Sequence, residues 1–181
     1  AARLIAEAGG KPKRSILFCL WAGEEFGLLG SRYFVESGTV DLEKISNYFN
    51  RDYTPFVPMG ITVPEAMYED MCAVCAPLKD ADPDFPFTVE KRQGAPRPKP
   101  AKAGGSDHAY FAINGVPTIG FNLKDPKGYD FSYGEIWHTE RDTYNKSIPE
   151  YQEHTAICTA VVLYGLANLD HILSREGLYA E

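Results

Sequence analysis

Short apolar runs alternate along this chain with longer stretches of helical periodicity, and the alternation predicts strands interleaved with helices. Residues 14–21 and 45–51 read as strands, with a helix over 28–36 between them. A proline opens a second helix at 64–78, and 85–90 reads as a short strand. Residues 107–113 form a short predicted helix that leads through Gly115 into a strand over 118–122. The final helix is predicted over 148–174, with Ile157, Val161, Tyr164, Leu166, Leu169 and Leu173 as its apolar face. Residues 1–10 read as the last turns of a helix closed by glycine, with no start signal before them, so the chain is expected to open within an element. No repeat or interdomain linker divides it. The pattern predicts one α/β domain, residues 1–181, built as a three-layer sandwich around a mixed, mostly parallel sheet.

Composition narrows the functional classes. With 181 residues, 44% hydrophobic and 13% aromatic, the chain suffices for one substantial core. Its net charge of −7 opposes nonspecific attraction to nucleic acid or anionic membranes. The one basic stretch, Lys91 to Lys102, is broken by prolines and has no aromatic residues, so it reads as a solvated loop, one placed to border a substrate cleft. No run approaches the roughly 20 apolar residues of a membrane span, and the first residues lack the apolar core of a signal peptide. Cys72 and Cys75 have CxxC spacing on a predicted helix, without the second pair that a zinc knuckle requires. Together with Cys19 and Cys158 they are expected to be buried free thiols.

The candidate chemistry begins at Glu24-Glu25, which close the apolar run at 15–21. Adjacent carboxylates repel, and delivering both into one site requires a cation there and an irregular backbone to aim them together. Ala22-Gly23 and Gly27 permit that turn. The alternative is a solvated acidic loop whose charges favour the start of the next helix. Asp52 is a further carboxylate at the end of an apolar run, and His138 lies between a loop and a helix.

These pieces resemble the C-terminal part of the catalytic domain of M28-type zinc peptidases, a group that includes aminopeptidases, plasma glutamate carboxypeptidase and, as a relative, glutaminyl cyclase. The resemblance rests on Trp21-Ala22-Gly23-Glu24-Glu25-Phe26-Gly27-Leu28-Leu29-Gly30-Ser31, Asn50-Arg51-Asp52, Gly105-Ser106-Asp107-His108, Gly115-Val116-Pro117, and His138-Thr139 with Asp142-Thr143. It implies two zinc ions, with Glu24 as the general base, Glu25 and His138 as ligands of one ion and Asp52 as a ligand of the other. It implies exopeptidase action on a peptide substrate, with aminopeptidase direction expected, and a secreted or periplasmic setting. Trp137, Asp142, Ser106 and Asp107 become candidates for supporting the ligands or touching substrate; Ser106 or Asp107 reads alternatively as the cap of the helix at 107–113, and Asp142 either fixes the imidazole tautomer of His138 or caps a helix. His108 stays outside the metal set.

Two departures qualify the resemblance. The family pattern also needs a His and a bridging Asp upstream of the double Glu; here no His precedes His108 and no Asp precedes Asp41. Catalytic zinc normally has about three protein ligands, so the 181 residues alone are expected to hold metal poorly and to be inactive, and a sheet lacking its N-terminal strands is expected to self-associate through the open edge. Trp137 stands where many relatives have a tyrosine, and an indole offers only a ring N–H. Trp137-His138-Thr139 also resembles glutaminyl cyclase, so zinc-dependent acyl transfer is one alternative and a non-catalytic interaction domain is another. Retention of Glu24, Glu25, Asp52 and His138 together favours an enzyme.

Overall fold

The computed structural model describes residues 1–52, 54–130 and 133–180. In chain order its elements are helices α1 (Ala2–Glu7) and α2 (Leu29–Glu36), strands β1 (Tyr48–Phe49) and β2 (Val57–Val63), and helix α3 (Glu65–Cys75). Strand β3 (Thr88–Lys91), helix α4 (His108–Ile113), strands β4 (Thr118–Ile119) and β5 (Phe121–Lys124), and helices α5 (Tyr133–Ile136) and α6 (Pro149–Asn168) follow.

The sheet is organised around β2, whose Val57, Ile61 and Val63 are at most 1% exposed. It runs parallel to β3 and antiparallel to β5, while β1 runs parallel to β4. These are two sheets, a parallel β1–β4 pair and a mixed three-stranded sheet in the order β3–β2–β5, and only Gly120 separates β4 of the first from β5 of the second. The layers follow from the alternation of side chains along a strand. Tyr48 stacks on Phe111 of α4 at 4.3 Å, whereas its neighbour Phe49 meets Phe121 edge-on at 4.7 Å in the core shared by α3 and α6. At β1, helices α2 and α4 therefore lie on one face and the α3 and α6 core on the other, while α3 and α6 also pack on the three-stranded sheet. The second layer is close-packed: a Cβ on Gly165 of α6 would lie 2.8 Å from Val74 of α3.

Several expectations from the pattern are corrected. Residues 14–21 form no regular strand, because among the described residues no strand runs beside them to complete a ladder. Leu17, Phe18 and Leu20 are exposed there, Leu20 completely, and Cys19 is exposed rather than buried. The strand at 45–51 contracts to β1. The central strand β2 escaped prediction because Pro58 and Gly60 interrupt its apolar run. Pro58 lies where the register with β5 shifts, and a Cβ on Gly60 would come within 2.7 Å of the Thr88 carbonyl oxygen, so each breaker fits its place. Helix α6 ends at Asn168, which leaves His171 and Leu173 beyond it. Its packing against β2, α3 and α1 buries Tyr151, Cys158, Val162 and Leu166, while Ile157 and Tyr164 of the predicted apolar face are exposed.

The loop after β5 carries the chain toward His138 and is gathered around Asp125. This carboxylate accepts from the Asp130 N–H at 3.0 Å and from the Tyr151 hydroxyl of α6 at 2.7 Å. Burial pushes the Asp125 carboxyl up, but the hydrogen bonds from Asp130, Tyr151, Tyr129 and Gly128 outweigh it and leave the group below the usual aspartate range. A depressed carboxyl contributes stability fully above its unfolded pKa, near 4, and loses it as pH falls through the lower folded value. Asp125→Ala is expected to cost about 1–2 kcal/mol at pH 7 in urea unfolding, with the gap to wild type closing toward pH 3. An equal cost at both pH values would remove the carboxylate from this role.

Candidate metal centre

The two glutamates reach the cleft through a tight turn. Trp21 first ties the preceding segment to the α2 and α4 layer, donating its indole N–H to the Tyr48 hydroxyl at 2.9 Å and meeting Phe34 edge-on at 5.2 Å. Gly23 and Gly27 then take φ of 70° and 105°, values that side chains rarely allow. The Glu24 carbonyl accepts from the Gly27 and Leu28 N–H groups at 3.0 and 2.8 Å, folding the turn back onto the start of α2. Glu24 and Glu25 consequently line one cavity of about 650 Å³.

Asp52 arrives from the end of β1 and is fixed by a neighbour. Ser106 donates its hydroxyl to Asp52 Oδ2 at 2.6 Å and accepts from Asn50 Nδ2 at 3.1 Å. One carboxylate oxygen is thereby held and the group is oriented. Asp107, buried beside it, accepts from the Ser31 hydroxyl of α2 at 2.5 Å and makes no side-chain cap on α4. His138 follows α5 with φ of 55°, an uncommon conformation for a non-glycine residue. Thr139 braces the bend by donating its hydroxyl to the Ile136 carbonyl at 3.0 Å. Trp137 lies over the imidazole at 4.3 Å and stacks on Tyr133 at 5.9 Å.

Glu24, Glu25, Asp52, His138, Trp137 and Asp142 all line the same cavity, although they come from widely separated segments. His138 Nε2 is 2.9 Å from Glu25 Oε2. Both side chains are more than half exposed, so this ion pair contributes roughly 0–1 kcal/mol and yields readily to a competing ligand. Asp142 lines the cavity, and among the described residues no hydrogen bond joins it to His138. Ser106 and Asp107 are buried and are not among the residues that line it. Arg51, Tyr133 and Lys146 also line it and were not singled out from the sequence; only the adjacency of Arg51 to Asp52 offered a signal.

The electrostatics favour a cation. Burial raises the Glu24 carboxyl above the usual glutamate range, and the negative charges of Glu25, Asp52 and Asp107 add to it, with His138 opposing. The donor set of carboxylate oxygens and one imidazole nitrogen suits zinc. Among the described residues no group of three or more His, Cys, Asp or Glu is arranged to hold a metal by itself, so the fit is that of a partial set: Glu25 with His138, and Asp52 apart.

Comparison with known proteins assigns the class. Residues 1–162 match the model of peptidase family M28, and the chain belongs to that family. It is 33% identical to a glutamate carboxypeptidase 2 homolog of Caenorhabditis elegans, over 77% of this chain and 20% of that protein. It is 26% identical to carboxypeptidase Q of Mus musculus, over 97% of this chain and 34% of that protein. The chain thus spans about a fifth to a third of these relatives. Its fold matches the crystal structure of a peptidase M28 precursor from Shewanella amazonensis SB2B, with a TM-score of 0.68 at 24% identity, over 96% of this chain and 36% of that one.

The tie between Ser106 and Asp52 yields a measurable consequence. Ser106→Ala would leave Asp52 Oδ2 without this donor and Asn50 Nδ2 without this acceptor, and is expected to lower unfolding free energy by about 1–2 kcal/mol. Denaturant unfolding showing no loss would mean that neither bond contributes.

Proposed function

We propose that these residues form the base and part of the ligand set of a zinc-dependent exopeptidase. The observation that carries the reading is the convergence of Glu24, Glu25, Asp52 and His138 on one cavity in a chain of the M28 family. Glu25 and His138 would hold one ion and Asp52 a second. Zinc, when bound, supplies a Lewis acid that polarises the scissile carbonyl and makes water acidic enough to attack near neutral pH. Glu24, one position from Glu25, takes a proton from the water in the cleft and returns it to the departing amine. Ser106 keeps the Asp52 carboxylate in one orientation. Trp137, stacked on His138, walls the cleft with an apolar ring and one N–H, and so cannot act as a tyrosine hydroxyl would.

The sequence motifs led to an aminopeptidase expectation. The relatives reported above carry carboxypeptidase names, which supports release of C-terminal residues over that direction. Peptides blocked at one end or the other separate the two readings. Peptides with an N-terminal glutamine test the acyl-transfer alternative in the same assay.

In an active, zinc-loaded form of the protein, Glu24→Gln is expected to lower turnover by about 10² to 10⁴ while zinc content stays near wild type. Glu25→Gln is expected to lower zinc content as well, measured by metal analysis after dialysis. Metal lost from Glu24→Gln and kept by Glu25→Gln would reverse the two assignments.

A second prediction concerns the 181-residue polypeptide by itself. With Glu25 and His138 at one position and Asp52 at the other, it is expected to bind zinc weakly in calorimetry and to hydrolyse no peptide. Exposed Leu17, Phe18 and Leu20 are expected to drive self-association, read by sedimentation. Tight binding of two zinc ions with turnover would overturn the ligand assignment.

A further inference from the structure

Two successive residues just before α4 reach two different elements of the cleft. Ser106 donates to Asp52 at the end of β1, and Asp107 accepts from Ser31 in the first turn of α2 at 2.5 Å. Ser31 is fully buried and Asp107 is 7% exposed. Asp107 lines neither the cleft nor the smaller cavity that shares Arg51 and Asp52 with it, and it makes no side-chain cap on α4. Substrate contact and helix capping therefore do not account for it.

What needs explaining is its charge. Among the described residues Asp107 makes no ion pair, and the Ser31 hydroxyl is its one side-chain hydrogen-bond donor. A neutral acceptor such as asparagine would make the same bond, whereas an ionised carboxylate away from water is costly unless a cation or several donors offset it. Its surroundings have the wrong sign for that. Burial, then Glu25, Asp52 and Asp107, raise the Glu24 carboxyl, and Asp107 adds to the burial that pushes the Tyr48 hydroxyl up to about 12. A further carboxylate is thus placed within electrostatic reach of Glu24, which already faces Glu25 and Asp52. Positive charge in the cleft would relieve all four together.

We propose that Asp107 acts on the metal centre without touching it, as a buried negative charge, mounted on Ser31, that strengthens the hold of Glu25, His138 and Asp52 on a divalent cation. The inference rests on the metal reading of the cleft and adds a positioning residue to it. Coulomb attraction needs no contact, so a carboxylate off the cavity lining adds to binding while leaving the coordination positions to the ligands. The mount also fixes where that charge sits. The Ser31 hydroxyl lies 3.2 Å from the Leu28 carbonyl, and the Leu28 N–H donates to the Glu24 carbonyl at 2.8 Å, so Asp107 is tied to the backbone of the turn that bears the glutamates. Removing the charge alone therefore has effects of opposite sign: it relieves repulsion in the metal-free chain and weakens the binding of metal.

Asp107→Asn keeps an acceptor for Ser31 and removes the charge. In the 181-residue chain without metal it is expected to unfold at the same or a higher urea concentration than wild type. With zinc titrated to millimolar concentration and read by NMR at the amides of residues 24–28, it is expected to need roughly three- to tenfold more metal for half-saturation. Asp107→Ser, also neutral and able to bond Ser31, is measured alongside and is expected to show the same weakening. Equal zinc midpoints in wild type and a native-like neutral variant would overturn the proposal, as would the absence of any zinc response in wild type. Loss of folding in both neutral variants would assign the carboxylate to the fold and overturn it too. Peptide hydrolysis enters none of these measurements, so failure of the exopeptidase reading is scored separately by the peptide assays.

Discussion

Carboxylates that face one cavity raise the cost of ionising one another, and this chain holds Glu24, Glu25 and Asp52 in that position. The surrounding structure offsets that repulsion locally. Ser106 donates to Asp52, Ser31 donates to Asp107, and His138 comes within 2.9 Å of Glu25. Each of these partners arrives from a different element, so the turn after Trp21, the end of β1, the start of α4 and the bend after α5 must all be in place together. The same excess of negative charge that makes the arrangement costly in isolation would be relieved by a cation placed among the carboxylates.

The sheet makes this meeting possible with little regular structure. β1 and β4 contribute two residues each, yet their parallel pairing puts Asn50 and Asp52 beside Ser106, which precedes α4. Tyr48 and Phe49 anchor opposite layers, so the short strand is clamped from both faces. Burial of the β2, α3 and α6 core supplies the hydrophobic stabilisation that such short pairings cannot. Rigidity at Asp52 is thus borrowed from packing, and the hydrogen-bonded ladder contributes a small part.

What could be read from the sequence follows the range of the forces involved. Helices α2, α3 and α4 were legible because their periodicity and boundaries are local, and Gly23 and Gly27 announced the turn that carries the glutamates. The convergence of Glu24, Glu25, Asp52 and His138 was anticipated through motif order and resemblance. β2 was hidden because Pro58 and Gly60 look like breakers until the register shift and the approach of Thr88 are known. Residues 14–21 erred the other way: their composition suits a strand, but a strand exists only beside a partner. The phase of α6 was misjudged because a helix packed on several sides has no single apolar stripe.

The turn bearing the glutamates is anchored unequally. Toward α2 it is closed by backbone hydrogen bonds from Gly27, Leu28, Leu29 and Gly30, whereas the extended residues before Trp21 have exposed Leu17 and Leu20. Arg14 and Trp21 pin that segment at its two ends, and the backbone between them, paired with no strand among the described residues, retains conformations that would be lost if a multivalent ion gathered its ligands. Any neighbour that pairs with residues 15–21 would remove part of that entropy in advance and raise the effective concentration of Glu25 at the ion. If the cleft holds metal as proposed, assembly along that edge and affinity for the ion would be linked quantities, each strengthening the other by the same free energy.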